Sequence, residues 1–270
     1  MLEIENVHKT FHEGTAHEVR ALQGLDLRID RGSFTIVIGT NGSGKSTLLN
    51  AVAGTFLVDR GRLRIDGKDV TRWPECRRAS LLGRVFQNPF SGTAPNLTIA
   101  ENLALASRRG GRRGLGPLVS SRLRRRMRDV VSELKMGLED RLDTPIGTLS
   151  GGQRQALTLL MATWQKPQLL LLDEHTAALD PKSAEQVVAL SEQVIARDRL
   201  TTLMVTHSMQ QAARLGDRLL MMHRGKILLD LGGAQKKRVR PEELLAKFED
   251  VRRADLLDES AAEMLARCYV

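Results

Sequence analysis

The sequence predicts an α/β fold in which a parallel β-sheet is connected by crossover helices and interrupted by a helical insertion. Three runs are almost continuously apolar, as strands buried on both faces are: "FTIVIG" (Phe34–Gly39), "LLLLD" (Leu169–Asp173) and "TTLMVT" (Thr201–Thr206). Helix-like sequence follows each run, and buried strands that alternate with helices indicate a parallel sheet. Residues 99–161 are mostly helical in pattern and form the expected insertion.

The length and composition favour a globular cytoplasmic protein. At 270 residues the chain can bury a full core, as one large domain or two small ones. Its apolar runs are shorter than the ~20 residues of a membrane helix, and "MLEIENVHKTF" carries charges where a signal peptide has an apolar core. Cys76 and Cys268 form no metal-type spacing, so we expect reduced thiols.

A glycine-rich loop between a predicted strand and helix has the residue types that phosphate binding requires. It matches G-x-x-x-x-G-K-S, and glycines let backbone N–H groups turn toward anionic oxygens at the positive end of the next helix. Lys45 is expected to reach the β- and γ-phosphates, and Ser46 to bind Mg²⁺. We therefore predict that phosphate groups bind this phosphate loop, which comprises Gly39, Thr40, Asn41, Gly42, Ser43, Gly44, Lys45, Ser46 and Thr47.

Polar residues follow the two other buried strands. Asp173 and Glu174 lie at the carboxyl end of one strand, where ligands bind in open α/β sheets. We expect Asp173 to hold Mg²⁺ and Glu174 to orient or deprotonate the attacking water. Gln87 follows a short apolar run and could reach both metal and water, and His207 ends the other strand. Taken alone, Gln87 fits a turn glutamine better than a site residue. His207 alone fits a polar strand cap as well as a functional group.

A second glycine-rich loop, "LSGGQ" (Leu149–Gln153), precedes an apolar helix but has no lysine. Lys45, Gln87, this LSGGQ loop, "LLLLDE", "AALD" and His207 occur in one order. The ordered set resembles the ATP-binding cassette ATPases, the motor subunits of ABC transporters, over about residues 2–231. The resemblance implies ATP hydrolysis on a P-loop NTPase (RecA-like) parallel-sheet core, with an antiparallel β subdomain and an α-helical subdomain.

The resemblance also implies a domain organisation. The ABC ATPase domain is expected at residues 1–232, with the helical subdomain at about 91–161. We interpret residues 233–270 as a linker, "GAQKKRVRPEE", and a C-terminal amphipathic helix. Leu244, Phe248 and Val251 recur there at helical spacing.

In that family two cassettes form a head-to-tail dimer, with each ATP between the phosphate loop of one and the LSGGQ loop of the other. The resemblance therefore implies a second cassette, expected to be an identical copy, and two membrane permease subunits as partners. It implies that Phe11 stacks on adenine, although a buried aromatic beside a strand is the alternative. The residues that complete the partner's site are Ser150, Gly151, Gly152, Gln153 and Asp180.

The segments "LLDEHTAALDPK", "GTAPNLTIAENLALASRRG" and "TTLMVTHSMQQA" resemble one subgroup of bacterial importer ATPases. That subgroup is linked with extracellular substrate-binding lipoproteins and, in some members, with uptake of aromatic amino acids. We therefore expect a peripheral protein at the cytoplasmic face of the cell membrane, contacting the lipoprotein only indirectly. A cytosolic motor does not contact the cargo, so its sequence does not identify the cargo directly.

Residues 107–128 contain nine arginines and no acid, which accounts for the whole formal net charge of +9. One interpretation is attraction to the anionic inner leaflet, at roughly 1 kcal/mol per basic residue; another is a solvated basic face. A soluble ABC-type ATPase acting on nucleic acid is the rival function. The single cassette, the absence of a heptad insertion and the lack of aromatic residues in the run argue against nucleic acid.

His175 replaces the proline that most of the family has after the Asp-Glu pair. We expect it in a turn facing the partner, where it titrates near pH 6.5 and can pair with Glu174 or Asp180. The hypothesis is that His175 shapes the pH dependence of ATP hydrolysis between about pH 6 and 7.5. The alternative is a solvent-exposed spacer.

Overall fold

The computed structural model describes residues 1–111 and 118–253, which form two β-sheets and a helical region. The strands are β1 (Leu2–Phe11), β2 (Val19–Ile29), β3 (Phe34–Gly39), β4 (Arg60–Ile65), β5 (Lys68–Asp69), β6 (Leu82–Val85), β7 (Leu169–Asp173), β8 (Thr201–Val205), β9 (Arg218–His223) and β10 (Lys226–Gly232). The helices are α1 (Lys45–Ala53), α2 (Glu75–Arg78), α3 (Ile99–Ser107), α4 (Ser121–Ser132), α5 (Gly151–Thr163), α6 (Pro181–Asp198), α7 (Met209–Arg214), α8 (Gly233–Arg238) and α9 (241–253).

The larger sheet confirms the predicted parallel core. Its strand order is β10-β9-β3-β8-β7-β6, and the neighbouring strands are parallel except for the pair β9 and β10. The strands β3, β7 and β8 are the three apolar runs of the sequence, and they are buried because helices cover both faces. The smaller sheet, β2-β1-β4-β5, is antiparallel, as the family resemblance implies.

Three apolar clusters follow from this layering. One lies between the antiparallel sheet, α1 and one face of the larger sheet. A second lies under α6 and α7 on the other face. The third holds α3, α4 and α5 together and forms the helical region between β6 and β7. None of the helices in residues 1–111 and 118–253 is long and apolar enough to cross a bilayer.

Arg78 anchors the helix that begins at the phosphate loop. Its side chain is buried, and its guanidinium donates to the carbonyl oxygens of Ala51 (2.6 Å) and Val52 (3.0 Å) near the end of α1. It also donates to the carbonyl oxygens of Thr71 and Trp73, which lie just before α2. Burial lowers the pKa of Arg78 to about 10. One buried cation therefore ties the end of α1 to the segment between β5 and α2.

The segment after residue 232 differs from the expected linker. It begins with the six residues of α8, and Lys236 in that helix is buried and donates to the carbonyl oxygen of Ala213 (2.6 Å) near the end of α7. Basic residues are stabilised at helix C-termini, which explains this contact. Leu244 of α9 is buried in the core, as helical spacing predicted. The domain boundary at residue 232 stays a prediction, and residues 254–270, including Cys268, lie outside the described chain.

Candidate functional site

The phosphate loop runs from the end of β3 to the start of α1. Two of its positions require glycine, because neighbouring backbone leaves no space for a Cβ atom. A Cβ on Gly39 would lie 2.3 Å from the carbonyl oxygen of Met222 and 2.6 Å from Ser43 Oγ. Gly44 has φ 101°, and a Cβ there would lie 2.5 Å from the carbonyl oxygen of Ala21. A side chain at Gly39 or Gly44 would therefore collide with the backbone of β9 or of β2.

The contacts of Lys45 show that this loop fits a triphosphate. The buried ammonium donates to the carbonyl oxygens of Gly39 (2.8 Å) and Thr40 (2.9 Å). Burial lowers the pKa of Lys45, and the negative charges of Glu174 and Asp173 act in the opposite direction. Ser43 Oγ is buried without a hydrogen-bond partner in the described chain, and no side chain caps the nine-residue α1. These unused donors, a helix N-terminus and a cation are what anionic oxygens require.

Glu174 and His207, predicted separately, are in direct contact. Glu174 Oε1 lies 2.6 Å from His207 Nε2, and the carboxylate is largely buried. The two residues meet because β7 and β8 are parallel neighbours, and the Glu174 N–H donates to the carbonyl oxygen of Val205 (3.0 Å). Glu174 has φ 45°, a left-handed conformation that turns the chain sharply at the end of the strand.

A chain of side-chain hydrogen bonds joins the ends of these two strands, and the sequence analysis missed it. Thr206 Oγ1 accepts from the N–H of Ser208 (3.1 Å) and donates to Gln211 Oε1 (2.9 Å). Gln211 Nε2 donates to Thr176 Oγ1 (3.3 Å), two residues after Glu174. The segment after β7 is thereby tied to the start of α7.

Asp173, the predicted metal ligand, has a partner that the sequence analysis did not identify. Arg84 in β6 places Nη2 3.3 Å from Asp173 Oδ2, and both side chains are mostly buried. Gln87 and Ser46 are exposed and make no side-chain hydrogen bond in the described chain. Their contacts with Mg²⁺ stay predictions, as does that of Asp173.

The LSGGQ loop is a helix cap in its own subunit. Ser150 Oγ accepts from the N–H of Gln153, and Gln153 Oε1 accepts from the N–H of Ser150, both at 3.3 Å. A Cβ on Gly152 would lie 2.8 Å from the Ser183 side chain, so glycine lets α5 pack on α6. Asp180 caps α6 by accepting from the N–H of Ser183 (3.0 Å). Ser150 and Gly151 are exposed, and no hydrogen bond in the described chain joins this loop to residues 39–47.

Phe11 lies at the end of β1, on the side of the phosphate loop. It pairs with Val19 in β2, and two residues along β2 the Ala21 carbonyl packs against Gly44. The ring makes an edge contact with Phe56, with 5.3 Å between centroids, and the Lys9 ammonium lies 5.5 Å from its centre. A partly exposed aromatic ring can stack on a purine, and the stacking of Phe11 on adenine stays a prediction.

The expectation for His175 is wrong in both of its forms. The side chain is 1 % exposed, and Nε2 lies 3.0 Å from Ser191 Oγ on α6. Because Ser191 Oγ donates to the carbonyl oxygen of Val187 (2.8 Å), it accepts from His175 Nε2–H, and Nδ1 is buried without a partner in the described chain. Burial lowers the pKa of His175 to about 4. His175 therefore stays neutral near pH 7 and pairs with neither Glu174 nor Asp180.

Comparison with known proteins decides the family. A family model described as ABC transporter matches residues 22–177. The chain belongs to the ABC transporter family. As an ABC cassette it is an ATP-binding enzyme that hydrolyses ATP, which agrees with a phosphate loop that fits a triphosphate.

The ABC cassette is similar to curated proteins and solved structures over most of its length. It is 39 % identical to the tyrosine transport ATP-binding protein of Clostridioides difficile, covering 92 % of this chain and 99 % of that protein. It is 37 % identical to a lipoprotein-releasing system ATP-binding protein of Caulobacter vibrioides, covering 82 % and 92 %. A solved dimeric cassette bound to ADP and Pi in a post-hydrolysis state matches with a TM-score of 0.74 and 28 % identity, covering 86 % and 98 %.

The buried His175 predicts an acid-dependent loss of stability. The pKa of His175 is lowered in the folded state. In the unfolded chain His175 is therefore protonated below about pH 6.5, whereas in the folded chain it is protonated only below about pH 4. The free energy of unfolding of the wild type should therefore fall by about 2 kcal/mol more than that of His175→Gln between pH 7 and pH 4.5. Urea unfolding at both pH values measures this difference.

His12→Gln is the matched control, since His12 is exposed on the surface. Its pH dependence of unfolding should follow that of the wild type. Equal pH dependence in His175→Gln and the wild type would contradict the buried neutral state. The shape of the ATPase profile between about pH 6 and 7.5 should be unchanged in His175→Gln, because a histidine with this lowered pKa does not titrate there.

Proposed function

We propose that this cassette is the ATP-hydrolysing motor of a bacterial amino-acid importer, working as a homodimer on two permease subunits at the cytoplasmic face of the membrane. The contact of 2.6 Å between Glu174 and His207, beside a loop that holds the Lys45 ammonium, is the observation that carries the proposal. An intact base and an intact phosphate cradle argue for turnover rather than for nucleotide binding alone.

Each residue of the proposed site has a defined task. Lys45 exchanges two neutral carbonyl oxygens for anionic phosphate oxygens, which accept stronger hydrogen bonds. His207 holds Glu174 Oε1, so Oε2 remains to accept a proton from the attacking water. Ser46, Gln87 and Asp173 would hold Mg²⁺, which neutralises charge on the phosphate oxygens when it is bound.

The LSGGQ loop completes the site of the partner subunit. Its exposed Ser150 and the N–H groups of Gly151 and Gly152 stand at the N-terminus of α5, where an anion is stabilised. ATP between the two subunits then favours the dimer, and hydrolysis releases it.

The permease subunits dock in a groove of about 1150 Å³ between the helical region and α2. Leu105 and Met161 make its walls apolar, Arg109 contributes a cation, and none of the described lining residues is acidic. An apolar segment that carries a carboxylate fits this lining.

Glu174→Gln tests the trans-site proposal. The amide keeps the shape of Glu174 but cannot accept the proton, so ATP should bind and persist. We expect hydrolysis to fall at least 100-fold, and ATP should shift the variant from monomer to dimer in light scattering.

The control is Ser150→Arg in the Glu174→Gln background. The bulky, charged arginine at the exposed loop should abolish the ATP-dependent dimer. The ATP affinity of the monomer should stay within about twofold of that of Glu174→Gln alone. If the monomer itself loses ATP affinity, the LSGGQ loop belongs to the site of its own subunit. A monomer that is saturated with ATP and does not dimerise in the Glu174→Gln variant alone would overturn the trans arrangement.

The amino-acid cargo rests on the match with the tyrosine transport protein, which covers nearly all of both chains. Deleting the gene should lower uptake of radiolabelled tyrosine by the cells. The wild-type gene should restore uptake and Lys45→Ala should not, since the γ-phosphate then lacks its cation. Unchanged uptake combined with mislocalised lipoproteins would instead support the lipoprotein-releasing function of the second relative.

The arginine-rich surface of α4 contributes to membrane association. Arg124 pairs with Asp143 and Arg128 lies 3.9 Å from Asp140, so part of the charge is neutralised. Arg122 and Arg125 are exposed and have no ion-pair partner in the described chain. These two, together with the exposed Arg126 that lies over the Trp164 ring, are therefore the cations of α4 available to anionic lipid.

Replacing Arg122 and Arg125 by Gln should weaken adsorption to phosphatidylserine vesicles, measured by co-sedimentation at low salt. At roughly 1 kcal/mol for each arginine, the expected loss is about tenfold or more. Gln at Arg199 and Arg240, which are exposed elsewhere on the chain, is the control with the same change in charge. Equal losses of vesicle adsorption in both variants would indicate a general effect of net charge and contradict a specific role of α4. If the α4 variant instead loses only binding to duplex DNA, the nucleic-acid function is favoured.

A further inference from the structure

Arg84 is a mostly buried cation on β6, the edge strand of the larger sheet, and no step of the proposed reaction uses it. It stands in β6 opposite Leu171 of β7, and its side chain is 13 % exposed. Strand residues at such positions are normally apolar, because an unpaired buried charge is strongly destabilising. Arg84 must therefore be held by specific partners.

The partners of Arg84 connect the start of the site with its metal carboxylate. Nη2 donates to Asn50 Oδ1 (2.7 Å) on α1, the helix that begins at Lys45. The same nitrogen donates to Asp173 Oδ2 (3.3 Å), and Nη1 donates to Thr55 Oγ1 (3.3 Å). The guanidinium lies 4.5 Å from the centre of the Phe86 ring. A planar fork with an amide, a hydroxyl and an aromatic ring around it has little freedom to turn.

We propose that Arg84 is a positioning residue for Asp173. By holding Oδ2 it fixes the rotation of the carboxylate and leaves Oδ1 to bind the metal. It also prevents Asp173 from pairing with Lys45, whose ammonium already experiences the negative charge of Asp173. Lys45 can then transfer from the loop carbonyl oxygens to phosphate without breaking an ion pair. The inference rests on the proposed function, in which Asp173 holds Mg²⁺.

The test measures nucleotide binding without turnover. The background is Glu174→Gln combined with Ser150→Arg, which is expected to stay monomeric with ATP. The ATP affinity of this protein with Arg84 and with Arg84→Met is determined by calorimetry, in Mg²⁺ and in EDTA. We expect Arg84→Met to reduce the gain in affinity that Mg²⁺ provides by about tenfold, while affinity in EDTA changes by less than about twofold. Arg84→Lys should recover part of the gain, because it restores the charge without the planar fork.

Arg218→Met is the matched control. Arg218 is also a strand arginine paired with an aspartate, Asp230, but it lies in β9 away from the metal carboxylate. Its removal should leave the Mg²⁺-dependent gain unchanged. Thermal melting of each variant identifies any that fail to fold. If Arg84→Met does not fold, Arg84→Lys replaces it in the comparison.

The outcomes separate this inference from the proposed site. Equal weakening of ATP affinity with Mg²⁺ and with EDTA would mean that Arg84 supports α1 through Asn50. Unchanged affinity under both conditions would mean that Asp173 needs no such partner, and either result overturns the inference. In contrast, if Asp173→Asn retains the full Mg²⁺-dependent gain, the assignment of the metal site itself is wrong. In a double-mutant cycle, the effects of Arg84→Met and Asp173→Asn should not add.

Discussion

Backbone hydrogen bonds between the parallel strands β3, β8 and β7 fix where the groups of the candidate site can lie. Val205 of β8 is in register with Val37 of β3 and with Asp173 of β7. Gly39 and His207 each lie two residues beyond this level and Glu174 one, which places them within about 7 Å of it along the strands. Short turns then suffice to bring the phosphate loop, Glu174 and His207 to one edge of the sheet.

At this edge of the sheet Asp173 and Glu174 each have another partner, and neither forms an ion pair with Lys45 in the described chain. Asp173 has the Arg84 guanidinium and Glu174 has His207, whereas the Lys45 ammonium is bound by neutral carbonyl oxygens. An ammonium in a direct ion pair with Asp173 would have to lose that pair before binding phosphate. Neutral acceptors make the exchange for anionic oxygens favourable, so separate pairing of the acids keeps the cation ready for nucleotide.

Much of the fold and the site follows from local sequence patterns. The buried strands are recognisable because both faces are covered, and the phosphate loop because its glycines permit backbone that no Cβ allows. The roles of Arg84 and His175 could not be predicted, because each depends on partners distant in the chain. Local signals existed: Asn50 on α1 and Ser191 on α6 are polar residues among buried apolar neighbours. Such residues mark positions where a buried polar side chain from another element needs a partner.

Helix α5 links the LSGGQ loop with the segment that contains Gln87. Gln155 is fully buried, and its Nε2 donates to the carbonyl oxygen of Phe86 (2.9 Å) immediately before Gln87. One residue earlier, the Arg154 guanidinium lies 3.7 Å from the ring centre of Phe90. The same helix lines the groove assigned to the permease. If the proposed docking in the groove displaces α5 as a rigid element, both the LSGGQ loop and the Gln87 segment would move with it. The contacts of α5 therefore offer one physical route from the proposed permease groove to two parts of the proposed nucleotide site.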